Sequence, residues 1–369
     1  MPIVDALVNC PVFDSFRVQQ VSGIFDLPPQ KQMSESFHVE IPSTGEPWQI
    51  GVVVGPSGSG KSTIAKQAFG DDLYATQHWP GDKAIIDVFS HRHSIQTITG
   101  TLTSVGLSSP PAWLKPYHVL SNGEKFRCDL ARALLDGGDT IVFDEFTSVV
   151  DRTVAKIGSA AIAKTLRRGP CDKRFVAVTC HYDVVPWLEP DWVVDMATQT
   201  LARGRLRRPE IAMHIRRINR HHWQAFKRHH YLASDLNPSS QCFGGFIDNT
   251  LAAFCAILFF PHPHTPCWRE HRLVCLPDFQ GIGIGCKMSE FIASVFRATG
   301  KRFRSISSHP ALIRHRHRSP LWKMIRKPSF ARQSALKGLR KSSSASRLTA
   351  SFEYIGPARH DDARRLQVI

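Results

Sequence analysis

The chain has little that would suit it to an oxidising compartment or to a membrane. Its nine cysteines are odd in number and include no Cys-x-x-Cys pair, which argues against a disulfide framework and against a zinc ribbon. The longest apolar run, Leu251 to Phe260, has ten residues, half of what a bilayer crossing needs. The opening MPIVDALVNCPVF carries no basic stretch ahead of its apolar residues, so a secretory leader is not expected. A cytoplasmic protein without membrane insertion is the expectation. Acidic residues are scarce in one half only. Residues 1–200 hold 17 Lys and Arg against 22 Asp and Glu, a net −5, whereas residues 201–369 hold 30 against 9, a net +21; together they give the formal +16. With 369 residues, 42% of them hydrophobic, the chain is long enough for two cores. Its basic half suggests a polyanionic partner.

Ile50 to Val54 is an uninterrupted apolar run, read as a strand buried on both faces. It leads into Gly55-Pro56-Ser57-Gly58-Ser59-Gly60-Lys61-Ser62, with Thr63 next and a helical stretch from Ser62 to Phe69. This fits G-x-x-x-x-G-K-[ST] in the strand-to-helix setting that the motif requires. The glycines let backbone N–H groups and a helix N-terminus face phosphates, Lys61 reaches the β- and γ-phosphates, and the Ser62 hydroxyl binds Mg²⁺. Residues Gly55 to Thr63 are therefore expected to bind ATP. A second apolar strand, Thr140 to Phe143, ends in Asp144 and Glu145. Asp144 is expected to share the Mg²⁺ with Ser62, and Glu145 to polarise the attacking water.

Between these motifs stands Leu120-Ser121-Asn122-Gly123-Glu124, followed by a helical stretch containing Leu130-Ala131-Arg132-Ala133-Leu134. With the phosphate loop, this resembles the ABC-type ATPases, whose LSGGQ signature leads into a helix with an ARAL segment. The resemblance covers residues 10–200. It implies that Ser121 and Gly123 cap the γ-phosphate bound by another copy, in a head-to-tail homodimer that sandwiches two Mg·ATP. Two further segments follow in the family's order. Ser148 to Asp151 looks like the dimer-contacting D-loop, and His181, after the apolar run Val176 to Thr179, looks like the switch histidine that contacts the γ-phosphate and orients the water of Glu145. Departures are visible as well. About sixty residues separate Lys61 from Ser121, which suggests a reduced helical subdomain. No Q-loop glutamine is evident: Ala84 to Phe89 reads as the strand, with Asp87 near the glutamine's place and Gln96 further along, which weighs against coupling to a membrane permease. Phe16 and Phe25 are candidates for the aromatic that stacks on adenine.

Arg203 to Pro209 is basic and rich in breakers, which sets domains at 1–205 and 210–357 with a tail at 358–369. Ile211 to Ser234 reads as helical, and Gln241 to Asp248 with Leu251 to Phe260 reads as an antiparallel hairpin. Leu273 to Gly285 then gives a strand and alternating glycines at 281, 283 and 285, ahead of a helix from Cys286 to Ala298. Glycines so placed make a backbone anion nest. The spacing is not G-x-G-x-x-G and no βαβ unit surrounds it, so a dinucleotide fold is excluded. Gln280, Gly283 and Gly285 instead meet [QR]-x-x-G-x-[GA], and residues 210–357 resemble the GNAT acyltransferases. That resemblance implies that Leu276, Gln280, Gly281, Ile282, Gly283, Ile284 and Gly285 bind acetyl-CoA, the turn holding its pyrophosphate and the preceding strand its pantetheine arm. The rest of the family's order would follow as a strand at Phe303 to Ser307, a helix near Ala311 to Ile325 and a late strand at Leu348 to Tyr354. Acyl transfer by direct attack needs a base and an acid; Glu270, His271, His230, Tyr231, His309 and Tyr354 are the candidates.

His262, His264, Cys267 and His271 have the residue types of a zinc site, but their spacing matches no established pattern. A loop flanking the hairpin is expected there, and no metal other than Mg²⁺. From Lys301 to Arg347 there are 14 Lys and Arg and no acid, with Phe303, Trp322 and Phe330 interleaved and a basic linker at 327–347. Such a stretch suits a phosphate backbone and stacked bases. The expected class is α/β: a P-loop domain of the ABC type followed by a GNAT-like α+β domain with a mixed central sheet. The expected function is ATP hydrolysis coupled to acetyl-CoA-dependent acylation of nucleic acid or of a nucleic-acid-associated substrate. Two alternatives stand beside it: the ATP-binding subunit of a transporter, and a non-acylating ATP-dependent nucleic-acid binder.

Overall fold

A computed structural model describes residues 3–11, 13–25, 32–74, 77–168, 172–230, 235–261, 264–330 and 348–369. Tyr231, His262 and residues 331–347 of the basic linker lie outside the described residues. The chain opens with β1 (Ile3–Pro11), α1 (Phe16–Ile24), β2 (Gln32–Glu40), β3 (Ile50–Val54) and α2 (Lys61–Phe69). Four helices follow: α3 (Ile85–Val88), α4 (Ile95–Ser104), α5 (Pro110–Trp113) and α6 (Asn122–Asp136). Next come β4 (Thr140–Phe143), α7 (Arg152–Arg168), β5 (Arg174–Thr179), α8 (Val185–Leu188), β6 (Trp192–Asp195) and β7 (Thr200–Arg203). Then follow β8 (His214–Ile218), α9 (Trp223–Lys227), β9 (Gln241–Ile247), β10 (Thr250–Phe260), β11 (Cys267–Cys275) and α10 (Ile284–Arg297). The chain finishes with β12 (Arg302–Ser307), α11 (Pro310–Arg318), β13 (Trp322–Phe330), β14 (Leu348–Tyr354) and α12 (His360–Arg365).

Packing divides the chain into two units that do not follow chain order. One comprises Met1–Thr76, Gly137–Val149 and Leu166–Arg208; the other comprises Gln77–Asp136, Val150–Thr165 and Pro209–Ile369. The boundary near residue 208 is one of several, because residues 77–136 and 150–165 pack with the C-terminal part. Nor is 358–369 a tail: Ala363 and Leu366 are buried in the C-terminal core, and the Gln367 carbonyl accepts from Arg217.

In the first unit, five strands order as β4-β5-β3-β6-β7, parallel except for the edge pair β6–β7. All five residues of β3 are buried, as expected of a strand covered on both faces. Gly51 is required within it, because a Cβ there would stand 2.0 Å from the Trp192 indole. β1 and β2 pair antiparallel, and Val4, Ala6, Phe37 and Val39 join Val53, Ile64 and Trp192 in one core. Each such side chain, once buried, contributes roughly 1.5–3 kcal/mol.

The second unit holds a seven-stranded sheet, β13-β14-β12-β11-β10-β9-β8, antiparallel except for β11 beside β12. That parallel pair needs a crossover, which α10 supplies. Ile284, Met288, Ile292, Val295 and Phe296 fall on one face of α10 and are buried, the helical repeat of an apolar stripe. Strand pairing between β11 and β12 runs only from Cys267 to Glu270 against Arg302 to Ser305. Beyond Glu270 no pairing joins the two strands.

Three segments differ from the sequence expectation. Ala84 to Phe89 is not a strand but the short helix α3, since Ile85 and Phe89, four apart, are both buried while Asp87 is exposed. His214–Ile218 is a strand within the stretch read as helix: Ile215 points inward between exposed neighbours and pairs with Gly245. The helix read over Ala311 to Ile325 stops at Arg318, where Ser319 is extended ahead of Pro320, and Trp322 starts β13, as the restriction on residues preceding proline dictates.

Candidate functional site

β3, β4 and β5 are parallel neighbours with β5 in the middle, so the segments that follow them leave the sheet at one end. Gly58 and Gly60 of the phosphate loop take φ of 80° and 76°, which glycine adopts freely. A Cβ on Gly60 would also meet the Phe37 ring at 2.6 Å, and one on Gly55 would meet Ser59 Oγ at 2.7 Å. Lys61 starts α2 and donates from Nζ to the Pro56 carbonyl at 2.6 Å, spanning the loop; Ser62 and Thr63 are exposed. Pro56 and Ser57 at the loop's tip are exposed, while Ser59 donates from Oγ to the Pro56 carbonyl at 2.8 Å.

After β4, the Asp144 carboxylate accepts from the Glu145 amide at 2.8 Å. Glu145 and Thr147 take φ of 52° and 69° on either side of buried Phe146. Left-handed backbone at a side chain with a Cβ costs about 1–3 kcal/mol each and persists only where the surroundings impose it. Here they do: Phe146 donates its amide to the Val178 carbonyl at 2.8 Å, and Ser148 donates from Oγ to the Glu145 carbonyl at 2.8 Å. Thr147 is fully buried, and its Oγ1 lies 3.1 Å from His181 Nδ1. The turn that carries Glu145 and the residue after β5 are thus joined by a side-chain hydrogen bond. Sequence reasoning singled out Glu145 and His181 and missed Thr147, which the mostly polar run Asp144-Glu145-Phe146-Thr147-Ser148 does not set apart.

Ser121 and Gly123 stand at the start of α6. Ser121 donates from both its amide and its hydroxyl to one Glu124 carboxylate oxygen, each at 3.0 Å, and accepts the Glu124 amide at 3.3 Å. This is a capping box, and it puts a carboxylate on the hydroxyl that the ABC resemblance assigns to a phosphate. The Gly123 carbonyl accepts from Arg127 Nη1 at 3.1 Å. Arg127 is fully buried, and burial lowers its pKa against the opposing charges of Asp278, Glu124 and Asp151. Asp87 and Gln96 are exposed on α3 and α4, and Phe16 and Phe25 are exposed on and just after α1.

At the loop expected to bind acyl-CoA, the Leu276 amide donates to the Ala252 carbonyl, and a 3-10 turn, Pro277–Phe279, leads to Gln280. Gly281 and Gly283 take φ of 94° and 99°, and Gly283 caps α10. Among the described residues, none accepts a hydrogen bond from the amides of residues 281–286, the unsatisfied donors of an anion nest. Ile282 and Gly285 are half-buried and Ile284 is buried; a Cβ on Gly285 would have open space around it. Gln280 donates from Nε2 to the Cys275 carbonyl at 2.7 Å and accepts at Oε1 from the amide and hydroxyl of Ser108, at 2.8 and 2.7 Å. The Gly281 carbonyl accepts from Lys164 Nζ at 3.0 Å. A Cβ on Gly281 would stand 2.9 Å from Gly106 Cα and 2.8 Å from Ala161 Cβ.

The acid–base candidates are not gathered at this loop. Glu270 is buried and accepts from Ser289, from Ser305 and, at both carboxylate oxygens, from Arg316 Nη2. Burial alone would raise its pKa, but the Arg316 charge and these hydrogen bonds hold it below the usual carboxylate range. A carboxylate so engaged is a structural anion, not a base. His271 accepts the Asn237 amide at Nε2, and burial with Arg272 and Arg269 lowers its pKa to about 4. His230 is half-buried, its ring 5.9 Å from that of Trp223. Tyr354 is a core residue whose pKa burial raises. Among the described candidates, His309 reaches the loop's neighbourhood, donating from Nε2 to the Ser108 carbonyl at 3.0 Å, with burial lowering its pKa. Of the zinc-like set, His264 is exposed and Cys267 is buried in β11; among the described residues no group of three or more His, Cys, Asp or Glu is placed to hold a metal ion.

The basic stretch is less open than its sequence suggests. Phe303 and Trp322 are core residues, and of the three interleaved aromatics Phe330 alone is exposed. Arg302 and Arg304 pair with Glu353, and Arg316 with Glu270.

Residues 209–311 match the family model described as acetyltransferase (GNAT) family. No curated protein matches the chain. Among solved structures it is similar to the dimeric post-hydrolysis state of the ATP-binding cassette MJ0796 bound to ADP and Pi, at 15% identity and a TM-score of 0.37, over 49% of this chain and 94% of that one. It is also similar to cbiO1 from Clostridium perfringens, part of the ABC transporter complex cbiONQ, at 15% identity and a TM-score of 0.35, over 47% and 79% of the two chains. A bacterial Atm1-family ABC exporter with ATP bound is similar at 17% identity and a TM-score of 0.33, over 48% and 35%. Residues 209–311 thus match the GNAT acetyltransferase family, and the same chain carries a glycine-rich loop between β3 and α2 of a mostly parallel sheet.

Proposed function

We propose that the chain is a cytoplasmic, homodimeric ABC-type ATPase that couples ATP hydrolysis to acetyl-CoA-dependent acylation of nucleic acid or of a nucleic-acid-associated substrate. The observation that carries the ATPase reading is the placement of the phosphate loop, the Asp144–Glu145 pair and His181 after three neighbouring parallel strands. Gly58 and Gly60 hold left-handed backbone that a side chain would strain, and at Gly60 a Cβ would also meet the Phe37 ring, which suits a backbone wrapped on phosphates. Ser62 and Asp144 offer the hard oxygen donors that Mg²⁺ takes. When bound, the metal neutralises phosphate charge and orients the chain of phosphates.

The remaining steps belong to the protein. Loop amides and the α2 N-terminus hold the phosphates, and Lys61 Nζ exchanges the Pro56 carbonyl for phosphate oxygen. Glu145 accepts a proton from the attacking water. His181, held at Nδ1 by Thr147, presents Nε2 to the γ-phosphate. Ser121 and Gly123 of a second copy complete the site, which is why a homodimer is proposed. At the other site, the amides of residues 281–286 hold the pyrophosphate of acetyl-CoA, and the strand ahead of Leu276 aligns its pantetheine arm. The net +21 of residues 201–369 exceeds what one CoA needs, and this supports a polyanionic acceptor.

Incubation of the full chain with nucleic acid, ATP and labelled acetyl-CoA tests the reading by mass spectrometry. Label on the nucleic acid or on protein bound to it is expected, and label on neither sinks the acyl-transfer part. Glu145→Gln should abolish ATP turnover while leaving an ATP-bound dimer; unchanged turnover would refute the role given to Glu145.

A further inference from the structure

Ser108, in the segment between α4 and α5, is held from two sides. Gln280, tied to the end of β11 through the Cys275 carbonyl, takes the Ser108 amide and hydroxyl, while His309, just past the end of β12, donates to the Ser108 carbonyl. β11 and β12 are the parallel neighbours whose pairing ends at Glu270 and Ser305. Ser108 therefore bridges the two strand ends where the sheet opens. Its neighbours are seated with it: Ser109 is buried and donates from Oγ to the His229 carbonyl at 3.1 Å, Ala112 and Trp113 are buried, and the Trp113 ring lies 6.5 Å from that of His309. Gly106, at φ 99°, lets the segment leave α4 sharply and touch the Gly281 backbone.

We propose that residues 107–113 are a built-in stopper of the acyl-CoA slot, so that acyl-CoA binding and the seating of this segment exclude one another. This rests on the acyl-CoA reading above, in which the pantetheine arm runs along the β12-facing edge of β11 beyond Glu270 and into the same opening. The segment's polar seats are two bonds to Gln280, one from His309 and one to His229, beside the buried side chains of Leu107, Ala112 and Trp113. Polar seats of this kind are exchangeable, because a ligand that offers equivalent partners replaces them. His309, the acid–base candidate nearest the loop, is occupied by the stopper and is released with it.

The test is hydrogen exchange of the full chain with and without acetyl-CoA, together with calorimetric titration of the wild type, Ser109→Arg and Ser108→Ala. Acetyl-CoA is expected to slow exchange at residues 280–287 and to speed it at residues 105–114. Unseating the segment with Ser109→Arg should tighten acetyl-CoA binding about tenfold if the slot is open in about a tenth of molecules, and Ser108→Ala should act in the same direction. Binding that leaves residues 105–114 unchanged or slower, with neither variant tighter, overturns the stopper and leaves the acyl-CoA site standing. No binding by any of the three proteins at millimolar ligand overturns the acyl-CoA reading itself, and the stopper with it.

Discussion

Thr147 Oγ1 lies 3.1 Å from His181 Nδ1, linking the strained turn after β4 to the end of β5. The bond engages Nδ1 of His181 and anchors the turn on which Glu145 sits; under the proposed function, Nε2 is the nitrogen that meets the nucleotide. Replacing Thr147 by Val keeps shape and removes the hydroxyl. kcat for ATP should fall about tenfold or more with KM little changed, since positioning rather than binding is lost. Steady-state ATPase assays of Thr147→Val, His181→Ala and the double variant check this. A double variant much worse than His181→Ala alone would separate the two residues.

Glu124 keeps a negative charge on the Ser121 hydroxyl through the capping box. Glu124→Gln preserves that box, because glutamine serves equally at this position, yet it removes the repulsion toward a phosphate arriving from the partner copy. ATP-dependent dimerisation should strengthen roughly fivefold, the effect of about 1 kcal/mol of exposed electrostatics. Sedimentation velocity with ATP, in a Glu145→Gln background that prevents turnover, would register the change; a weaker dimer contradicts the role given to Ser121.

Glu270 and Arg316 form a buried pair. Glu270→Gln leaves a buried guanidinium without its anion, which should cost about 3–5 kcal/mol in urea unfolding. A catalytic base in this place would give the opposite pattern, with activity lost and stability kept.

His271 is held neutral, its pKa lowered from 6.5 to about 4 by burial and by Arg272 and Arg269. The unfolded chain binds the proton more readily between these values, so stability is complete above pH 6.5 and is lost as pH falls through the window toward 4. The midpoint of urea unfolding should drop across that range, and His271→Gln should flatten the drop.

Features written in consecutive residues were the legible ones. The run Ile50 to Val54 with its glycine loop, the acids after Phe143, and the glycines 281, 283 and 285 all lie where the sequence placed them. What escaped depends on distant partners. Glu270 looked like a base because Arg316 is 46 residues away. Phe303 and Trp322 looked like stacking surfaces because only the sheet's pairing turns them inward. Ile215 sits in a stretch of His and Arg whose alternation over five residues is too short to outweigh the helical spacing that continues to Phe226. Thr147 needs both β4 and β5 in place before its role exists.

The seating of Gly106, Ala161 and Lys164 against Gly281 has a consequence for the chain's birth. Lys164 and Gly281 are 117 residues apart, so a ribosome moving at about 5–20 residues per second exposes the first roughly 6 to 23 s before the second. Over that interval Ala161 of α7 lacks its contact with Gly281. Gly106 and Ala161 are encoded in the first half of the message but meet Gly281 only when the second half has been translated. A pause between Arg208 and Gly281 would therefore leave a nascent chain whose five-stranded sheet is complete while the contact of Gly281 with Gly106 and Ala161 is unmade.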